Sequence, residues 1–152
     1  MKVLGIAPSS TDFKWAILHG TQALPRILPL PSTSQKLPAD ACEGHALVSP
    51  RRLLSTFVAE QGAERICVLQ AGSSQFRGPS AWRVKAEGIV QLVGAELELT
   101  VDLVAPQSFR AQEKRFASIA SASPEDVLNG GADFKPKAWR DAVLVAWWGL
   151  DE

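Results

Sequence analysis

The sequence predicts a single α/β domain built on a mixed sheet with helices on both faces. Three observations lead there. Three strand-like runs open the chain before any helical pattern occurs. From residue 49 onward helices and strands alternate, the arrangement that builds sheets covered by helices. The run Ile66, Cys67, Val68, Leu69 is apolar at successive positions, the mark of a strand buried on both faces. At 152 residues the chain fits one domain spanning residues 1–152, with enough length to bury a core. No internal repeat divides it.

Each element follows from local chemistry. Residues 3–7 and 13–18 are apolar strand-like runs around a polar turn, so they read as a hairpin with Pro8, Ser9, Ser10 and Thr11 at its tip. Residues 23–31 (ALPRILPLP) offer a third strand interrupted by prolines, which suits an edge. Residues 32–48 are polar and rich in turn formers and read as a loop. A helix then starts with Ser49 as N-cap and Pro50 at its first position and stops at Gly62, with Leu53, Leu54, Phe57 and Val58 as its apolar stripe. After the buried strand at 66–69 and a loop of small residues comes a helix capped by Ser80 and ended by Gly94. Its core face is Trp82, Ala86, Ile89, Val90 and Val93. Gly88, in mid-helix, costs about 1 kcal/mol relative to alanine, and close approach of a neighbouring element would explain it. Residues 96–106 form a further strand and 107–116 a short helix. The stretch to residue 137 is mostly irregular, with one capped turn at Ser123. The final helix, AWRDAVLVAWWGL, is apolar on nearly all sides.

Composition narrows the function. Lys plus Arg and Asp plus Glu each number 16, so the formal charge is zero. A protein living by broad phosphate contacts carries clustered cations, so the balance weighs against strong non-specific nucleic-acid binding while allowing a local basic patch. Cys42 and Cys67 are the only cysteines, far apart and in no ligand spacing, which fits a reducing, cytoplasmic setting. No apolar run reaches membrane-spanning length. Phosphate-loop, dinucleotide and Ser-His-Asp signatures are lacking, and His19 and His45 are isolated, as surface histidines are.

The order of elements is that of the RNase H-like fold, and local strings resemble its RuvC-type Holliday-junction resolvases. LGIAPSS is similar to that family's first strand, roughly Gly-Ile-Asp-Pro-Gly-Ser, and ICVLQ to its fourth, which carries a glutamate. AWRVKAEGIVQLV, VDLVAPQSFR and WRDAVLVAWW resemble the segments that follow. The resemblance implies four carboxylates holding two divalent ions that clamp a phosphodiester. Carboxylates suit Mg²⁺ because it is a hard ion that takes oxygen ligands. Carried over residue by residue, the first-strand aspartate falls at Ala7, the fourth-strand glutamate at Leu69 beside Gln70, and the two acids of the last helix at Ala138 and Asp141. One of four carboxylates is present. The resemblance therefore implies a degenerate member acting as a nucleic-acid or protein binding module with no cofactor. One alternative is a nuclease using Mg²⁺ or Mn²⁺ at an acidic site rebuilt from Asp141, Asp12 or the acids near Asp133, and a further one is a phosphate- or nucleotide-binding protein using the turn at Ser9–Thr11.

The remaining candidates have functional and structural readings side by side. Asp141 is a catalytic candidate; otherwise it is salt-bridged to Arg140, Arg110 or Lys137, or complements the helix dipole. Ser9, Ser10 and Thr11 can cradle a phosphate or serve only as turn residues. Gln70, Phe76, Arg77, Trp82 and Arg83 lie after the central strand, where bases and phosphates can be met; the alternative is that Trp82 is core and the arginines are solvated. Glu87, four residues after Arg83, reads as a solvated ion-pair partner. Trp139, Trp147 and Trp148 crowd the last helix, and adjacent tryptophans cannot both face one core. One of them covering an apolar patch would support a homodimer through that helix.

Overall fold

Alternation along the first strand sets the whole architecture. A computed structural model of the chain describes residues 1–9, 11–36, 44–72, 81–120 and 122–151. Strand β1 (Lys2–Pro8) pairs antiparallel with β2 (Asp12–Gly20), Leu4 opposite Ile17 and Ile6 opposite Trp15. On the far side of β2 lie β3 (Pro25–Ile27) and β4 (Ser34–Lys36), both antiparallel to it. On the other side of β1, β5 (Arg65–Leu69) and then β6 (Thr100–Val104) add in parallel. The order is β3-β2-β1-β5-β6, with β4 also on β2.

Successive side chains point to opposite faces, and two cores result. Leu4, Ile6, Ile66 and Val68 pack beneath α1 (Val48–Gln61) and α2 (Ala81–Glu96), joined by Leu54, Val58, Ile89, Val90 and Val93. Val3, Ala7, Cys67 and Leu69 face α5 (Lys137–Trp148), which is backed by α3 (Pro106–Ala120) and α4 (Pro124–Asn129). That position explains why α5 is apolar all round: all of residues 142–147 are buried. Trp147 stacks on Phe116 of α3 with ring centroids 4.3 Å apart and donates its indole N–H to the Gln22 carbonyl at 2.9 Å. A helix can lie this close to β1 only because Gly5 has no side chain; a methyl there would run into the Ala142 carbonyl and the Ala146 backbone.

Several sequence expectations change. The segment expected to be loop contains β4, whose Ser-Gln-Lys sequence carries no apolar alternation because it is half-exposed beside β2. The third strand shrinks to three residues, since Pro29 and Pro31 cannot donate to a ladder. Helix α1 begins earlier, at Val48 after one 3-10 turn (Gly44–Leu47), so Leu47 and not Ser49 is the N-cap. Pro50 is still tolerated because N–H groups of a first turn have no intrahelical partner. Leu53 leaves the stripe and is 48% exposed. Gly94 does not end α2, which continues to Glu96; it lies where a methyl would strike Val101 of β6. The close approach expected at Gly88 is thus found at Gly94, and a Cβ at Gly88 would meet nothing within 4 Å. The turn at Ser123 is a capping box: its hydroxyl accepts from the Asp126 N–H, and the Asp126 carboxylate accepts from the Ser123 N–H. Trp148 is half-buried against the α5 core. The large exposed apolar side chains among the described residues lie elsewhere, Val48 and Leu53 on α1 and Val84 and Leu92 on α2 among them. Helix α5 therefore offers a second copy little free apolar surface.

Candidate functional site

The carboxyl ends of β1 and β5 meet the start of α5. Ile6 is level with Val68, so the next residues, Ala7 and Leu69, lie side by side and both face α5. Ala7 is 3% and Leu69 9% exposed, and both belong to the α5 core. Beside them opens a polar cleft of about 310 Å³. Leu69 at the end of β5 and Gln70 and Gly72 just after it border it, with Arg83 from α2, Pro106, Phe109, Arg110 and Glu113 from α3, and Lys137, Arg140 and Asp141 from α5.

Asp141 lies at the fifth position of α5, half-buried at the wall of this cleft. Burial pushes its carboxyl above the ordinary carboxylate range. Lys137 and Arg140 pull it partly back, Glu113 pushes further, and Arg83 pulls. Among the described residues its carboxylate has no ion-pair or hydrogen-bond partner, so the salt bridge expected with Arg140 is not formed. Arg140 is held elsewhere, by Glu113 of α3 at 2.7 Å and Glu125 of α4 at 2.5 Å. Glu125 is also buried in part, which opposes ionisation, but the Arg140 guanidinium holds its carboxyl below the ordinary range.

Gln70 and Arg83 come together at the cleft. The Gln70 N–H donates to Val104 at 2.9 Å, and its carbonyl accepts from Arg83 at 3.5 Å. Ser9 and Thr11 are not among the residues that border the cleft. The Ser9 hydroxyl donates to an Asp12 carboxylate oxygen at 2.7 Å and accepts from the Thr11 and Asp12 N–H groups, so these donors are used within the turn. Asp12 pairs with Lys14 at 2.8 Å; burial opposes its ionisation, but Lys14 and the Ser9 hydroxyl together hold its carboxyl low. Ser10, Phe76 and Arg77 lie outside the described residues. Trp82 is half-buried against the α1–α2 core, and His19 and His45 are exposed. Cys67 is buried, and its thiol is pushed up to about 12 by burial and by Asp102, which keeps it protonated.

Two acids, Glu113 and Glu125, escaped the sequence reading, and a third, Glu87, has a different role from the one expected. Glu87 is not simply solvated: it accepts the Ala71 N–H and so fixes the chain where it leaves β5. Glu113 and Glu125 both serve Arg140. The spacing of Arg110 and Glu113, three apart on one helix, puts both on one face, a signal that was available. The link from Glu125 to Arg140 is tertiary and left no local mark.

The residues do not fit a two-metal centre. A methyl and an isobutyl group fill the strand ends, Glu113 is committed to Arg140, and among the described residues no three His, Cys, Asp or Glu side chains gather where an ion could be held. Four cations border the cleft, Arg83, Arg110, Lys137 and Arg140, against two carboxylates, Glu113 and Asp141.

No family model and no curated protein matches the chain. Solved structures do. RuvC of Thermus thermophilus in complex with a Holliday junction substrate superimposes with a TM-score of 0.73 at 14% identity, over 97% of this chain and 91% of that one. A second structure of Thermus thermophilus RuvC gives 0.68 at 15% identity, over 97% and 92%. The yeast mitochondrial Holliday junction resolvase gives 0.60 at 13% identity, over 95% and 75%. With its mixed sheet and its helices on both faces, the chain has the RuvC-like form of the RNase H-like fold.

Proposed function

We propose that the chain is a nucleic-acid-binding module that keeps the resolvase fold without the two-metal cleavage chemistry. The observation that carries this reading is the pair Ala7 and Leu69. At the strand ends where the resemblance places metal-binding acids, both are buried apolar side chains continuous with the core. A carboxylate buried there without a partner would be costly; alanine and leucine instead stabilise the seat of α5. The cleft beside them has polar, mostly cationic walls. The zero formal charge of the chain is compatible with this, since the positive charge is local. Two lone cysteines, one a buried neutral thiol, fit a reducing, cytoplasmic setting. No helix among the described residues is long and apolar enough to cross a membrane.

The test is incubation of the chain, and of Asp141→Asn beside it, with labelled four-way-junction, duplex and single-stranded DNA and RNA in Mg²⁺ or Mn²⁺. The expected result is retention without cleavage. Cleavage by the parent that Asp141→Asn abolishes would establish the nuclease alternative at a rebuilt acidic site. Neither retention nor cleavage would discard the nucleic-acid reading in favour of a protein partner.

A further inference from the structure

We infer that the cleft at the start of α5 is a direct anion site, which takes a phosphate group on Lys137, Arg110 and Arg83 with no bridging metal ion. The inference deepens the proposed reading and rests on it for the source of the phosphate. A metal-dependent phosphodiester site is acidic by construction, because carboxylates gather the cations that then meet the phosphate. Here the order of charge is inverted. Three of the positions that the resemblance assigns to acids hold alanine or leucine, and cations from three different helices converge on the opening.

The geometry supports direct binding in three ways. Lys137 and Arg110 are exposed at the mouth, and among the described residues neither has an ion-pair partner. Arg140, by contrast, is committed to Glu113 and Glu125 and fixes the wall. No side chain caps α5, whose N-cap is Pro136, so the positive end of a twelve-residue helix adds its dipole beside Lys137. Asp141 opposes an anion in the same cleft, and that opposition makes the inference testable. In a metal site Asp141 would be the ligand that survives; in an anion site it is a brake.

The experiment measures affinity of the chain for single-stranded and four-way-junction DNA across a salt series, in EDTA and in Mg²⁺ at matched ionic strength. Lys137→Gln, Arg110→Gln and Asp141→Asn are measured alongside, with melting temperature as a check of folding. Binding in EDTA should be at least as tight as in Mg²⁺, because the divalent ion competes as a counterion. Each of Lys137→Gln and Arg110→Gln should lower the slope of log affinity against log salt by about one. Asp141→Asn should tighten binding. A parallel arm follows the melting temperature with inorganic pyrophosphate. Stabilisation by pyrophosphate that Lys137→Gln removes, without DNA binding, would keep the anion site and discard the nucleic-acid source. DNA binding that needs Mg²⁺ and is lost in Asp141→Asn overturns the inference. So does DNA binding with an unchanged slope in folded Lys137→Gln and Arg110→Gln, which would leave the nucleic-acid reading standing on another surface.

Discussion

The two faces of the sheet are sealed to different standards. On one, α5 lies so close to β1 that Gly5 meets the backbone at Ala142 and Ala146, and Gly149, just past the helix, sits against the Val3 and Cys67 side chains. On the other, α1 and α2 stand on side chains, Phe57 stacked on Trp15 at 4.3 Å and Leu54, Val58 and Ile89 filling the gap. Between these helices an apolar groove stays open beside Gly88. That groove is apolar, whereas the openings around Arg110, Glu113 and Arg140 carry the charged side chains. The tight face holds one helix in register with the strand ends, and the polar cleft forms where that helix begins.

The largest break in this contrast is expected from Gly5→Ala. The added methyl meets backbone atoms of α5, which cannot rotate away. Overpacking into a well-filled core costs about 1–3 kcal/mol and sometimes more, and this site, with no flexible neighbour, belongs at the upper end. The variant should fail to give a cooperative thermal transition. The same substitution at Gly88 meets open space and should stabilise.

Trp147→Ala comes next. Trp147 is 1% exposed, stacked on Phe116 and bonded to the Gln22 carbonyl. Loss of a buried aromatic of this size costs about 3–5 kcal/mol, read as a drop in the denaturation midpoint. Phe57→Ala, on the looser face and only half-buried, should cost less. Equal losses would mean that the two faces are equally specific.

The parts of the fold that were legible are those whose signal is local. The apolar runs at 3–7 and 66–69 and the capped turn at Ser123 declare themselves within a few residues. Strand β4 was invisible because pairing with β2, and no pattern of its own, makes it a strand. Gly88 and Gly94 show the limit well: both lie within α2, and only the position of β6 decides that Gly94 is the one in close contact. The cleft was half legible. Asp141, Gln70 and Arg83 were singled out and do converge, while the true partners of Arg140 and the role of Glu87 depend on helices far apart in sequence.

Gly88→Ala tests the looser face at a smaller scale. Replacing a glycine in a helix interior by alanine gains about 1 kcal/mol where nothing clashes, so the melting temperature should rise by a few degrees. A fall would mean that the groove beside α2 is not open to the added methyl.

Asp141 tests the point where the tight face opens to water. Burial raises its carboxyl above the ordinary value of 3.8, against the pull of Lys137 and Arg140. The native state therefore binds this proton more readily than the unfolded chain does. Between the ordinary value and the raised one, stability falls as pH rises. Above the raised value the ionised carboxylate carries its full cost. Asp141→Asn removes that cost, so the variant should melt higher than the parent at pH 7, and the gap should close as pH falls through the carboxylate range, where the parent is neutral too. Glu125 runs the other way: held low by Arg140, it contributes stability above its ordinary pKa that is lost as pH falls through its folded value. A pH series on Asp141→Asn and Glu125→Gln should thus give differences of opposite sign at pH 7. If Asp141→Asn instead melts lower than the parent at pH 7, the carboxylate is held by partners that stabilise its charge, and the cleft is more acidic in its needs than its cationic walls imply.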